Sequence, residues 1–386
     1  MSHESRPVRV GIDVAKQVFQ IHAVDELGNL TETRQLSRER LLPWCSRLPP
    51  HCIVAMESCA TSHFWARRMA ELGVEVRLIA PSFVTPYRLS GRTGKNDAAD
   101  AAAICEAASR PHMRFVPAKT VERQVWCTVH RLRQGYMKDR TAAINRTRGL
   151  LAEYGLVFPL SPDKFLAMAP EAVRDKANEL APIARTGVRR ALAHIAAIDR
   201  QIAWCDARIA EHVRKDPNAK LAMSVCGVGA FTASALAADV GDLSQFKNGR
   251  QFGAWLGLVP RQHSSGGKAR LGRITKRGDA YLRYLMVMGA KAAMRVAATK
   301  DDEVSRWVCQ LRERVGWQKA CVALANKNAR HLWVLLSRGK RGDVEATATD
   351  GADSTQPLSS RPLPKRGLEH RQGEMRSGPA IAGQTR

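Results

Sequence analysis

The sequence predicts a mixed α/β domain first, then a long helical segment, then a mainly helical unit broken by glycines. Three observations predict this order. Residues 8–111 alternate short β-rich runs with helix-like stretches; residues 119–213 show no strand alternation and carry a heptad; residues 216–336 are helical in pattern but interrupted by Gly227, Gly229, Gly241, Gly249, Gly253, Gly257, Gly266, Gly267, Gly272 and Gly278. At 386 residues the chain exceeds one ordinary domain. The expected boundaries are an α/β domain over 1–115, a helical, coiled-coil linker over 116–215, a third unit over 216–337 and a tail over 338–386.

Within the first domain, residues 8–13 (VRVGID) and 18–24 (VFQIHAV) are β-rich and close enough to form a hairpin. A turn containing Gly28 leads to a third strand at 30–36. A polar helix at 38–47 precedes a buried-strand pattern at 52–57 (CIVAME), and a helix at 63–72 is stopped by Gly73. Residues 74–80 (VEVRLIA) make the next strand. After Pro81 and a basic loop with Arg88, Arg92 and Lys95, Asn96 caps a helix that runs from Asp97 to about Ser109. The predicted order is β-β-β-α-β-α-β-α.

In the linker, Val188, Ile195, Ile202 and Ile209 recur every seven residues, with Ala191, Ile198 and Cys205 three positions after the first three. This seam fits an oligomerising coiled coil, and equally an intramolecular pair with the helix at 123–154. After residue 338 apolar order gives way to Gly, Pro, Ser, Thr and Arg, the composition of a disordered basic tail.

Lys and Arg number 61 against 36 Asp and Glu, a net charge of +25 spread along the whole chain, which points to a polyanionic partner and above all to nucleic acid. No run approaches the roughly 18 to 20 apolar residues of a membrane helix, and residues 1–9 are too polar to begin a secretory signal. No membrane association is expected, and the protein reads as cytoplasmic, nucleoid-associated when acting. The nine cysteines are scattered with no C-x-x-C pair, which argues against a zinc knuckle or a redox dithiol.

Four carboxylates carry the chemistry. Asp13 ends the first strand, Glu57 ends a later one, and Asp97 and Asp100 share a face on the first turn of the helix after Asn96. Taken singly, each has an ordinary structural reading as a turn former, a helix-terminus charge or a solvated residue. If the strands are neighbours and the helix packs over them, the four meet in one pocket and need a cation. Hard oxygen ligands then indicate Mg2+ or Mn2+, which at a phosphodiester can activate a nucleophile and stabilise a leaving oxygen. Acids on the first strand, the fourth strand and the last helix of this element order are the layout of the ribonuclease H-like fold, and Holliday-junction resolvases of the RuvC type resemble it. Sugar kinases and actin-like ATPases also open on a Gly-Ile-Asp strand, but small hydroxyl residues follow their Asp, whereas Val14, Ala15 and Lys16 follow here. GRTGK at 91–95 lacks the spacing of a phosphate-binding loop.

In the third unit, residues 225–242 (VCGVGAFTASALAADVGD) resemble the hairpin of a helix-hairpin-helix element. There Gly227 and Gly229 would present backbone N–H groups to a phosphate. Residues 257–283 (GLVPRQHSSGGKARLGRITKRGDAYLR) place Ser264 and Ser265 before two glycines, with Arg261, Lys268, Arg270, Arg273, Lys276, Arg277 and Arg283 around them as candidate phosphate ligands. By these residues alone, a nucleophilic serine and a basic loop that only binds DNA are both open.

GIDVAKQVFQIHAVD, MES and KNDAADAAAI, together with GVGAFTASALAADVGD and GAWLGLVPRQHSSGGKARLGRITKRGDAYLR, resemble the DEDD transposases of the insertion-sequence 110 family, including Piv-type DNA invertases, over residues 8–336. The resemblance implies a RuvC-like domain whose Asp-Glu-Asp-Asp set is Asp13, Glu57, Asp97 and Asp100. It also implies a serine directly before a glycine, Ser265 with Ser264 as the alternative, that attacks DNA through a phosphoserine link with Mg2+. Donor and target DNA, a structured noncoding guide RNA bridging them, and a homo-oligomer from dimer to tetramer are implied too. Activating a serine requires removal of its proton and neutralisation of the target phosphate. The metal pocket must therefore meet the serine in a composite site, within one protomer or between two. The competing readings are a RuvC-like nuclease acting with activated water and a nucleic-acid-binding protein without catalysis.

Overall fold

The computed structural model describes residues 6–88, 96–241, 243–263 and 270–345, with side chains as far as Ser337 except at position 244. Ser264, Ser265 and Lys268 lie outside the described residues, as do residues 346–386 of the expected tail.

Apolar alternation builds a mixed six-stranded sheet in the order β3-β2-β1-β4-β5-β6. Strands β1 (Arg9–Val14), β2 (Val18–Val24) and β3 (Leu30–Ser37) form an antiparallel meander. The turn between β2 and β3 is held by Asp25, whose Oδ1 accepts from the N–H groups of Leu27 and Asn29, while Gly28 takes the positive φ. Helix α1 (Leu41–Cys45) leads to β4 (Ile53–Glu57), which pairs parallel with β1; α2 (Ser62–Ala70) leads to β5 (Glu75–Ile79), parallel to β4. After α3 (Pro81–Val84) and a 3-10 turn (Thr85–Tyr87) comes α4 (Asp97–Ala108), then β6 (Phe115–Val116), antiparallel to β5. The domain edge expected at residue 115 therefore falls inside a strand. Two residues are too few to show an alternation, which is why the sequence pattern misses β6.

Successive strand residues face opposite sides of a sheet. Val10, Ile12, Val54 and Met56 belong to the core shared with Phe19, Trp65 and Met69, on the side of α1 and α2. Ala55 and Ile79 belong to the opposite core, packed on Ala103, Ile104, Ala107 and Ala108 of α4. Gly11 of β1 permits this second contact, because a Cβ there would lie 2.2 Å from Ala101 O and 2.6 Å from Cys105 N. The alanine-rich face of α4 thus lies directly against β1.

The linker holds α5 (Val121–Ala152), α6 (Pro162–Arg174) and α7 (Pro182–Lys215). Val188, Ile195, Ile198 and Ile202 pack with Ala143, Ile144 and Leu151 of α5, and Cys205 and Ile209 pack with Val129. The Arg133–Asp206 and Arg140–Asp199 ion pairs, each 2.5 Å, show that moving seven residues along α5 moves seven residues backwards along α7. Of the two readings of the heptad, the antiparallel pair within one chain is the one formed. Within the chain the seam packs on α5 and on Phe165, Ala169 and Val173 of α6.

Beyond Asp216 come α8 (Pro217–Ala222), α9 (Ala230–Asp239), α10 (Gly249–Trp255), a hairpin of β7 (Pro260–Gln262) and β8 (Leu271–Ile274), then α11 (Ala280–Val296), α12 (Glu303–Val315) and α13 (Trp317–Glu345). Leu236, Phe252, Leu256, Leu282, Met286, Leu324 and Leu332 share their core. The hairpin corrects the reading of this stretch as a loop within a helical unit, and α13 continues past the boundary expected at 338. Among the described residues no helix is long and apolar enough to cross a membrane.

Candidate active site

Asp13 is two residues beyond Gly11 on β1, and Glu57 is two beyond Ala55 on β4, so the period of a strand directs both toward the α4 side. The strands are parallel neighbours, with Ile12 opposite Met56, so their next residues, Asp13 and Glu57, end side by side. Asn96 fixes where α4 begins, its Oδ1 accepting the Ala99 N–H at 2.7 Å. The first turn then carries Asp97, exposed, and Asp100, 8 % exposed, down onto the strand ends, because Ala101 is the residue that meets Gly11.

The electrostatics report the convergence. Burial pushes the Asp13 carboxyl above its ordinary value, and the negative charges of Asp100 and Asp97 push it further, against a smaller downward pull from Arg88. The Cys59 thiol is likewise raised by burial and then by Glu57 and Asp13. Arg88 bridges two of the acids: its Nη2 lies 2.7 Å from Glu57 Oε1 and its Nε 2.9 Å from Asp100 Oδ1. By donor chemistry the set suits a hard divalent cation. In the arrangement observed, with Arg88 at two of the carboxylates, no three acidic, His or Cys side chains among the described residues stand close enough to share one ion.

The hairpin presents the second group of candidates. Arg261 on β7 and Arg273 on β8 are exposed, as are Arg270, Lys276 and Arg277. Its base is tight: a Cβ on Gly257 would collide with the Arg277 backbone, and one on Gly278 with Trp255 O. Arg283 is different, being half-buried with its Nη1 donating to Leu256 O at the end of α10, so its guanidinium holds the fold together. Gly227 adopts a positive φ in the turn between α8 and α9, and it packs backbone to backbone on Gly289 of α11. Gly229 caps the N-terminus of α9 with open space beside its Cα. Gly227 thus also serves helix packing, and Gly229 faces open space.

Comparison with known proteins adds a second line. The sequence matches a DEDD transposase family over residues 10–156 and the Transposase IS116/IS110/IS902 family over residues 219–304. It is 48% identical over 333 residues to a probable family 20 transposase of Pseudomonas aeruginosa, covering 86% of this chain and 97% of that one. A transposase for insertion sequence element IS1111A of Coxiella burnetii is 40% identical over 85% of this chain and 89% of its own. The transposase for insertion sequence element IS1328 of Yersinia enterocolitica is 38% identical over 86% and 97%. The chain belongs to the IS116/IS110/IS902 transposase family. Members of the DEDD transposase group generally use a divalent metal, and transposases bind DNA.

Two features of this transposase escape sequence reasoning. One is the partnership of Arg88, which in sequence is one cation of a basic loop. The other is a buried polar chain through four helices. His130 of α5 contacts Tyr281 Oη of α11 at 3.0 Å through Nδ1 and Ser234 Oγ of α9 at 2.9 Å through Nε2; His212 of α7 contacts the same Oγ at 2.8 Å through Nδ1 and faces Asp216 Oδ2 at 3.8 Å through Nε2. Ser234 has a single proton, so one imidazole accepts it and the other donates. The Asp216 carboxylate favours a proton on His212 Nε2. His212 Nδ1 then accepts from Ser234, His130 Nε2–H donates to Ser234, and Tyr281 O–H donates to His130 Nδ1. Burial, the main cause, holds His130 neutral, with its pKa lowered to about 4, and raises Tyr281 to about 12. Because the four residues are spread singly along more than a hundred positions, no local motif marks them.

Proposed function

We propose that this transposase cuts and rejoins insertion-sequence DNA at a composite site, in which Asp13, Glu57, Asp97 and Asp100 hold Mg2+ or Mn2+ and Ser265 is the nucleophile. The observation that carries the reading is that Asp13 and Glu57 end neighbouring strands on the α4 side of the sheet, with Asp100 and Asp97 raising the Asp13 carboxyl and Asp100 sharing Arg88 with Glu57. Sheet order and acid placement together favour a ribonuclease H-like domain of the RuvC kind.

When bound, the metal supplies charge neutralisation at the scissile phosphate and lowers the barrier to attack. The chain's own residues provide the rest. Asn96 and Gly11 set where Asp97 and Asp100 meet Asp13. The exposed Arg261, Arg270, Arg273, Lys276 and Arg277 of the hairpin region grip phosphates on either side of the serine. In the strand-transfer step the Ser265 oxygen loses its proton and bonds to phosphorus while the departing DNA oxygen takes up a proton as a hydroxyl; attack on the phosphoserine by the hydroxyl of a second DNA end, which loses its proton in turn, restores the protonated serine. A structured noncoding RNA bridging donor and target DNA, and assembly as a homo-oligomer, belong to the same reading and rest on the family resemblance.

The test is a nicked suicide DNA substrate incubated with Mg2+. A covalent protein-DNA adduct should form with the unaltered protein and with Ser264→Ala, and be lost with Ser265→Ala. Loss in Ser264→Ala instead would move the nucleophile by one residue, and cleavage that persists without any adduct would support water as the nucleophile.

A further inference from the structure

Arg88 sits where a cation is needed, and it is itself a cation. Its guanidinium reaches one acid on β4 and one on α4, Glu57 at 2.7 Å and Asp100 at 2.9 Å, whose side chains are each 12 % exposed. The Arg88 side chain is itself 34 % exposed, more than either acid, while its Nε is buried beside Asp100. An arginine does not shed its proton in a protein, so it cannot yield the carboxylates by titration. It yields them only by swinging away.

The local chain permits that motion. The Arg88 backbone is pinned, its N–H bonding Thr85 O just past the 3-10 turn, while the long side chain above it turns on flexible bonds. What would draw it off is a competing anion of better geometry. A DNA phosphate offers a bidentate match to guanidinium, and the protein's charge of +25 brings DNA to its surface. We propose that Arg88 is the resident counter-ion of the carboxylate site and that DNA phosphate takes it over, so that DNA and the divalent metal bind with positive coupling. The site is then charged fully only when substrate is present. Taking the carboxylates as the metal site rests on the function proposed above.

Binding linkage makes this measurable, because DNA must raise the affinity for metal by the factor by which metal raises the affinity for DNA. Mn2+ binding to the full chain is titrated by the electron paramagnetic resonance of free Mn2+, with and without a mixed-sequence DNA duplex. An Asp13→Asn, Asp100→Asn double variant sets the background from ions held by DNA alone. For the unaltered protein, DNA should tighten Mn2+ binding by about tenfold, and Arg88→Gln should bind Mn2+ about tenfold tighter without DNA and gain little more with it. Arg88→Lys, which keeps the charge but loses the fork, should fall between them and guards against a folding defect in Arg88→Gln.

The proposal is overturned if Arg88→Gln binds Mn2+ no tighter than the unaltered protein, or if the DNA effect survives in full in that variant. If Mn2+ binding drops in the double variant while either of those results is seen, only the role of Arg88 falls. If the double variant binds Mn2+ as well as the unaltered protein, the metal site and the role of Arg88 fall together.

Discussion

Two polar clusters among the described residues solve the same problem in opposite ways. At the ends of the central strands β1 and β4, like charges stand near one another around one arginine, and burial with the charges of Asp100 and Asp97 raises the Asp13 carboxyl. Between the helices, the buried His130, Ser234 and His212 and the half-buried Tyr281 are neutral and hydrogen-bonded in sequence. The first arrangement stores unfavourable electrostatics that a ligand can relieve; the second stores none and ties α5, α7, α9 and α11 together. Frustrated charge of this kind is what the proposed binding role of the acids would require, and satisfied hydrogen bonding is what rigidity requires.

The contrast is sharpest in stability. Ser234→Ala should destabilise the protein by about 2–4 kcal/mol, because it leaves a donor and an acceptor buried without partners, and urea unfolding checks this. A loss within a few tenths of a kcal/mol would mean that water replaces the hydroxyl. The pH dependence follows next. His130 has a folded pKa of about 4 against 6.5 when free, with Asp239, His212 and Arg133 as the charged or titratable groups around it. Above pH 6.5 neither state binds the proton and stability is complete. Between 6.5 and 4 the unfolded chain takes up a proton that the folded chain refuses, so stability should fall as pH drops, by up to about 3 kcal/mol. Unfolding midpoints across that window, compared with those of His130→Gln, isolate the effect.

Asp13→Asn should act in the opposite sense. Because the folded carboxyl titrates above its ordinary value, its ionised form opposes folding at neutral pH, an opposition absent well below pH 4. The metal-free variant should therefore melt higher than the unaltered protein at neutral pH, with the difference vanishing at low pH. A lower melting temperature would show that Asp13 is a structural residue. The smallest signal is spectroscopic: imidazole nitrogen NMR should find the proton on Nε2 of both His130 and His212, and a proton on Nδ1 of either would reverse the chain of donors.

Much of the sheet domain was legible because its signals are local. Alternation marked β1 to β5, and Asn96 before an alanine-rich run marked the start of α4. The four acids could be selected because strand ends and a helix start are positions that topology brings together. The heptad was legible as a seam but not as a seam of one chain, because periodicity records that a face is buried and not what buries it. The β7–β8 hairpin was hidden by strands of three and four residues. Arg283 looked like the other basic residues around the serines, and only the fold shows its guanidinium on Leu256 O. Arg88 and the histidine chain were invisible for a related reason, since their meaning lies in partners from distant elements.

The proposed function stands or falls with the carboxylates at the ends of β1 and β4 and the start of α4 as the catalytic centre. The most direct measurement is divalent-metal-dependent cleavage of insertion-sequence ends by the unaltered protein and by Asp100→Asn, at a temperature where both are folded and bind DNA equally. A loss on the order of a thousandfold is expected, the several kcal/mol that a metal contributes to a phosphoryl transition state. Cleavage by Asp100→Asn within a few-fold of the unaltered protein would contradict it.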